Sequence, residues 1–137
     1  MRIISSRQRG KALKQSAACL ERAEALLAQG QAADALPLAL EGLQAVRDFA
    51  GQDRSAAEAT LMVGLTTVAE ETSQTLGRPG PSREDLLTTL EILTRLGDAI
   101  DRFPDLAGRE PAWSRERRLK WVPYLRDRVG NQAGDPA

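Results

Sequence analysis

The sequence predicts an all-α protein, an antiparallel helical bundle of two stacked hairpins plus a shorter C-terminal helix. Three observations carry that expectation. Alanine and leucine dominate while aromatic residues make up only 4% of the chain, a composition suited to closely approaching helices rather than to sheets rich in β-branched and aromatic side chains. Apolar residues recur at intervals of three and four over long segments, the period of one helix face. Gly30, Gly51, the Gly77-Arg78-Pro79-Gly80-Pro81 run and Pro104 stand between those segments, as breaks between helices should.

The first helix is expected from about Ser6 to Gln29, with Leu13, Ala17, Leu20 and Leu27 on one face. Ala12, Cys19, Ala23 and Leu26 widen that face, and Glu24 falls at its edge. Gly30 supplies the left-handed stop. The second helix runs from about Asp34 to Ala50 with Leu36, Ala39, Leu43, Val46 and Phe49 at helical intervals. Asp34 as N-cap would leave Pro37 in the first turn, where a missing N–H costs little.

Gly51-Gln52-Asp53 breaks the chain, and Ser55 followed by Glu58 has capping-box spacing. The third helix carries Leu61, Leu65, Val68, Thr72 and Leu76, with Met62 and Ala69 beside them. Gly77-Arg78-Pro79-Gly80-Pro81 is the clearest loop. A fourth helix begins at Ser82, with Asp85 placed to close a capping box, and runs to Phe103 through Leu86, Leu90, Leu93, Gly97 and Ile100. Pro104 stops it. Residues 104–112 read as a linker, and a fifth helix from about Ser114 to Val129 uses Leu119, Val122 and Leu125, with Pro123 expected to kink or divide it. The chain therefore reads as a single helical domain over residues 1–129 and a flexible tail over 130–137.

With Gly30 as origin, Ala35 and Leu36 follow at five and six residues, Ala39 at nine, and Gly42-Leu43 at twelve and thirteen. This spacing resembles a tetratricopeptide repeat, whose small residues let paired helices approach closely. The resemblance covers residues 17–47 and departs from the family at Ala33, where a large aromatic is usual. The proline expected after the second helix is also missing, and the second hairpin does not repeat the pattern. AEALLAQGQAADALPLALEGL is similar as well to the front of HEPN domains. The nuclease members of that family use an arginine followed within a few residues by a histidine. This chain has no histidine, so the resemblance implies an HEPN-like shape without the nuclease.

The missing histidine also removes the commonest general base and metal ligand and every Ser-His or Cys-His nucleophile pair. No P-loop, GxGxxG or EF-hand spacing occurs. Cys19 is the single cysteine, expected as a small buried core residue with no disulfide or multi-cysteine zinc site. Glu70-Glu71 and Asp98 with Asp101 are the carboxylates that would have to face one another to hold a divalent ion. Asp98 lies beside the apolar stripe, and a solvated, salt-bridged surface is the expectation there, as it is for Glu21, Arg22 and Glu24. No catalytic residue, cofactor or metal is expected.

Formal net charge is zero, but residues 1–14 carry +5, residues 15–108 carry −8 and residues 109–128 carry +4. The most pointed segment is WSRERRLKWVPYLRDR, residues 113–128, which holds three of the five aromatics, Trp113, Trp121 and Tyr124. Arginine and aromatic side chains combine contact area with directional donors and are enriched at binding hot spots. Arg115, Arg117, Arg118, Lys120, Trp121 and Tyr124 are the expected partner-binding residues. The functional expectation is a non-enzymatic protein–protein interaction module, a small adaptor or accessory subunit of a larger complex. Sixteen arginines against three lysines suit a GC-rich bacterial genome, and a defence or signalling operon is the setting considered.

The alternative is a nucleic-acid-associated accessory subunit using the basic ends, against which the acidic middle counts. Self-association is open too, because a short repeat array has terminal apolar faces to cover. No stretch approaches a membrane span and the N-terminus lacks a signal-peptide apolar run, so the cytoplasm is the expected location.

Overall fold

The computed structural model describes residues 6–49, 56–106, 108 and 112–134. Among these the chain forms five α-helices and one short 3-10 turn, with no strand, as the helical period and the glycine and proline breaks require. Its contacts divide into two units, Met1–Pro81 and Ser82–Ala137. The third helix thus belongs with the first two, and the fourth with the fifth.

In the first unit α1 spans Ser6–Ala28, α2 Ala32–Phe49 and α3 Ala56–Leu76. Gly30 adopts φ +76° after α1, and Gly77 adopts φ +64° after α3. Each stands at the left-handed position where a side chain would be strained. After α1 the Gln31 N–H donates to the Leu26 carbonyl at 2.8 Å and the Gly30 N–H to Leu27 at 3.0 Å. After α3 the Arg78 N–H donates to Ser73 at 3.0 Å and the Gly77 N–H to Gln74 at 3.4 Å. Both ends are therefore Schellman caps that satisfy carbonyls the helix would otherwise orphan.

The cap on α1 hands the chain straight into α2, which starts two residues before the expected Asp34. The Gln31 carbonyl accepts from the N–H groups of Asp34 and Ala35 at 3.2 and 3.1 Å. Asp34 consequently lies inside the first turn, where its charge complements the helix dipole. Pro37 falls one turn deeper than expected and is a proline within the helix. It removes the bond to the Ala33 carbonyl, a loss tolerated because Pro37 and Ala33 both face solvent. Ser55 and Gly51-Gln52-Asp53 lie outside the described residues.

The buried face of α1 is not the leucine stripe. Ala12, Ser16, Cys19 and Ala23 are buried, whereas Leu13, Leu20, Leu26 and Leu27 are half-buried and Ala17 is exposed. On α2 the buried set is Ala35, Leu36, Ala39, Gly42, Leu43 and Val46, and Phe49's side chain lies outside the described set. Small residues face small residues, so the helix backbones come close. A methyl group on Gly42 would lie 2.7 Å from a Leu65 methyl carbon and 3.1 Å from the Cys19 Cβ. One on Gly64 would lie 2.7 Å from Leu20. The three helices thus meet where two glycines make room.

α3 is buried on every side from residue 61 to residue 70, beyond the single stripe its period suggests. Three of its buried hydroxyls are accommodated locally: Thr67 donates to the Val63 carbonyl at 2.9 Å, Thr72 to Val68 at 2.8 Å, and Ser73 to Glu70 at 2.9 Å. This back-bonding lets threonine and serine sit within a helix without stranding a donor.

In the second unit α4 spans Arg83–Arg102 and α5 spans Ala112–Gly134. Ser82 caps α4 as expected: the Asp85 N–H donates to the Ser82 hydroxyl at 3.1 Å, and the Ser82 N–H donates to the Asp85 carboxylate at 3.3 Å. Asp85, Leu86, Thr89 and Leu93 are its buried residues, while Leu90, Gly97 and Ile100 are half-buried. Phe103 closes the helix with its N–H on the Ala99 carbonyl at 2.8 Å. Pro104–Leu106 then form a 3-10 turn where a plain linker was expected.

α5 is one continuous helix across Pro123 and reaches Gly134, so the proline does not divide it and the tail expected from residue 130 is helical to that point. Pro123 lies on the exposed side, where water can satisfy the carbonyl that loses its donor.

Candidate interaction surface on α5

Trp121, Leu125 and Val129 form the buried stripe of α5, spaced by one helical turn each. Leu119, expected in that stripe, is 60% exposed. The apolar seam therefore lies elsewhere on the helix, because Trp121 offers the larger area to bury and draws the register toward itself.

That register distributes the six expected binding residues over different faces. Trp121 is a core residue, 7% exposed. Lys120 and Tyr124 lie on one flank of the buried stripe and Arg118 on the other, since two residues advance a helix by roughly 200°. Arg115 is exposed and Arg118 half-buried; the side chain of Arg117 is outside the described set, as is that of Trp113. Among the described side chains, Lys120 and Tyr124 do not share a flank with Arg118.

On the Lys120 flank the parts touch. The Tyr124 ring meets the Trp121 ring edge to face, with centroids 5.2 Å apart and planes at 88°. The Lys120 ammonium stands 5.5 Å from the Trp121 ring centroid, within range of a cation–π attraction. Tyr124 is 37% exposed. A buried indole thus fixes an exposed phenol and an exposed ammonium side by side.

On the other flank, α4 and α5 enclose an open groove of about 260 Å3. Asp98 and Asp101 stand on its α4 side, Arg118 and Arg126 on its α5 side, and Leu93 and Val122 give it an apolar lining. Gly97 is where α4 leaves room for Arg118, whose Cδ would lie 3.6 Å from a methyl group there. The sequence signal was the Arg118, Val122, Arg126 spacing of one turn each, hidden by reading Leu119 as a core position.

The carboxylates considered for a metal lie in both units, Glu70 and Glu71 in the first and Asp98 and Asp101 in the second. Glu70 is buried and accepts from the Gln74 amide at 3.2 Å, while Glu71, Asp98 and Asp101 are exposed. Among the described residues no group of three potential ligands is close enough to hold an ion. Glu21, Arg22 and Glu24 are exposed as expected. Cys19 is buried, and burial pushes its thiol above the usual value of 9.0; Glu41 adds to the rise and Arg22 opposes it. The group is therefore held as a thiol, the opposite of a reactive thiolate. No described helix is long and apolar enough to cross a membrane.

Compared with family models, curated proteins and solved structures, the chain matches none.

Proposed function

We propose that this protein is a non-enzymatic helical interaction module, an adaptor or accessory subunit that docks a larger protein in the bacterial cytoplasm. The observation that carries this reading is the Lys120, Trp121 and Tyr124 cluster. Its indole is anchored in the fold while the phenol and ammonium are presented to solvent in a fixed arrangement. A preordered aromatic and cation lose little side-chain entropy on binding, which is how such pairs come to dominate interfaces. The complete lack of histidine supports binding over acid–base catalysis. The tetratricopeptide-like reading of the first hairpin rests on the sequence spacing of Ala35, Ala39 and Gly42 after Gly30.

The test is affinity capture from the native host with and without nuclease, comparing the natural protein with a Lys120→Ala, Tyr124→Ala double variant. A protein that co-elutes after nuclease treatment and is lost with the variant supports the reading. Retained nucleic acid that falls away steeply with salt, with no nuclease-resistant protein, overturns it in favour of a nucleic-acid subunit. Trp121 is unsuited to the comparison because its removal opens the core.

A further inference from the structure

Resting on the docking role of the Lys120, Trp121 and Tyr124 cluster, we infer that what it docks is an acidic protein segment, which seats a carboxylate on the Lys120 ammonium and an apolar side chain on the Tyr124 ring. The ammonium is open to such a group. Glu116 lies four residues before Lys120 and both are exposed, the spacing of a helical ion pair. Among the described residues the two are not joined, whereas Glu91 and Arg95 on α4, at the same spacing, meet at 2.7 Å. Lys120 turns instead to the Trp121 ring, 5.5 Å from its centroid, and a ring face attracts a cation without cancelling its charge.

The helix around it is basic. α5 carries six basic side chains against two acidic ones, so a negative partner is drawn to it and a positive one repelled. Placement decides which anion fits. Glu116 stands one turn before Lys120, and the exposed Asp127 stands three residues after Tyr124, so acids interrupt the cations along this flank. A nucleic-acid strand brings phosphates at regular intervals and is held by a row of cations that tracks them. One carboxylate needs one ammonium. The Tyr124 ring, 37% exposed and packed edge to face on Trp121, offers the same segment an apolar surface beside that contact, as aromatic residues do at protein interfaces.

The test pans the full chain against a library of short random peptides displayed on phage, beside the exposed-site variants Lys120→Glu and Tyr124→Ala, with circular dichroism confirming that each keeps its helices. Peptides retained by the natural chain are expected to be enriched in glutamate and aspartate next to a leucine or an aromatic residue. The leading one, synthesised, should bind Lys120→Glu at least about tenfold more weakly, because its carboxylate then faces a like charge. Panning on Lys120→Glu should enrich lysine and arginine in its place.

The failures are distinguishable. Peptides that lose affinity with Tyr124→Ala but show no acidic excess leave the docking role standing and overturn the acidic partner. Peptides indifferent to both substitutions, or none retained, overturn the docking role as well. A single-stranded oligonucleotide that binds more tightly than the leading peptide and is released by Lys120→Glu overturns the inference in favour of nucleic acid.

Discussion

The Ser16 hydroxyl donates to the Gly42 carbonyl oxygen at 3.1 Å, across the buried face where α1 packs on α2. Ser16 and Gly42 stand at nearly equal separations from the turn at Gly30, so this bond pins the register of an antiparallel pair. Serine here occupies a position that a leucine-centred reading of α1 assigns to neither core nor surface. Replacing Ser16 by alanine removes the bond without adding bulk, and should lower stability by about 0.5–1.5 kcal/mol. Urea unfolding of the variant against the natural chain measures it.

Gly42 tests the closeness of that approach. Its absent Cβ would sit 2.7 Å from a Leu65 methyl carbon and 3.1 Å from the Cys19 Cβ, so any side chain there must displace Leu65. Gly42→Val should therefore destabilise by roughly 1–3 kcal/mol through overpacking, despite the better helix propensity of valine over glycine. A thermal midpoint equal to or above that of the natural chain contradicts the packing described.

Thr66 and Thr89 pose the reverse case. Each is fully buried, and neither hydroxyl oxygen has a hydrogen-bond partner among the described residues. Valine has nearly the same shape and no donor or acceptor to leave stranded. Thr66→Val should raise stability by up to about 1 kcal/mol, whereas Thr67→Val, which loses bonds to Val63 and Gly64, should not. Denaturant midpoints of the two variants, read side by side, separate the effects.

Trp121 is the anchor of α5. Its truncation to alanine empties a buried indole site and should cost roughly 3–5 kcal/mol, while Tyr124→Ala on the exposed flank should cost much less. Near-equal losses in the two variants would mean that the stripe of α5 is misplaced.

Cys19 carries the pH dependence. Its folded thiol titrates above its ordinary value of 9.0 because burial, and then Glu41, disfavour the charged form. The folded state therefore holds its proton where the unfolded chain has lost it. Stability from this source is fully present below the unfolded value and drains away as pH rises through the folded one. Replacing Cys19 by alanine should flatten the alkaline fall in stability, which melting curves on either side of pH 9.0 will show.

Much of the fold was legible because its punctuation is local. Gly30 and Gly77 end helices through their own backbone conformation, and Ser82 begins one through a side chain three residues from its partner Asp85. Such signals need no tertiary information. The buried faces were less legible, since alanine, serine and glycine carry little hydrophobic signal and reveal a seam only when another helix is laid against them. Leucine at 13, 20 and 27 dominated the pattern of α1, while burial followed residues 12, 16, 19 and 23. Leu119 misled for the same reason. The groove on α5 was hidden because its α4 side lies some twenty residues away in sequence, and spacing along one helix does not report which neighbour it faces.

The small-residue contact between α1 and α2 inverts the usual map of mutational tolerance. A saturation scan of this hairpin would find its leucines on α1 comparatively replaceable and its alanines, serine and glycine nearly fixed. Homologues diverging under that constraint would keep their least conspicuous letters and vary the oily ones, so a search weighted toward large hydrophobic matches would look past them.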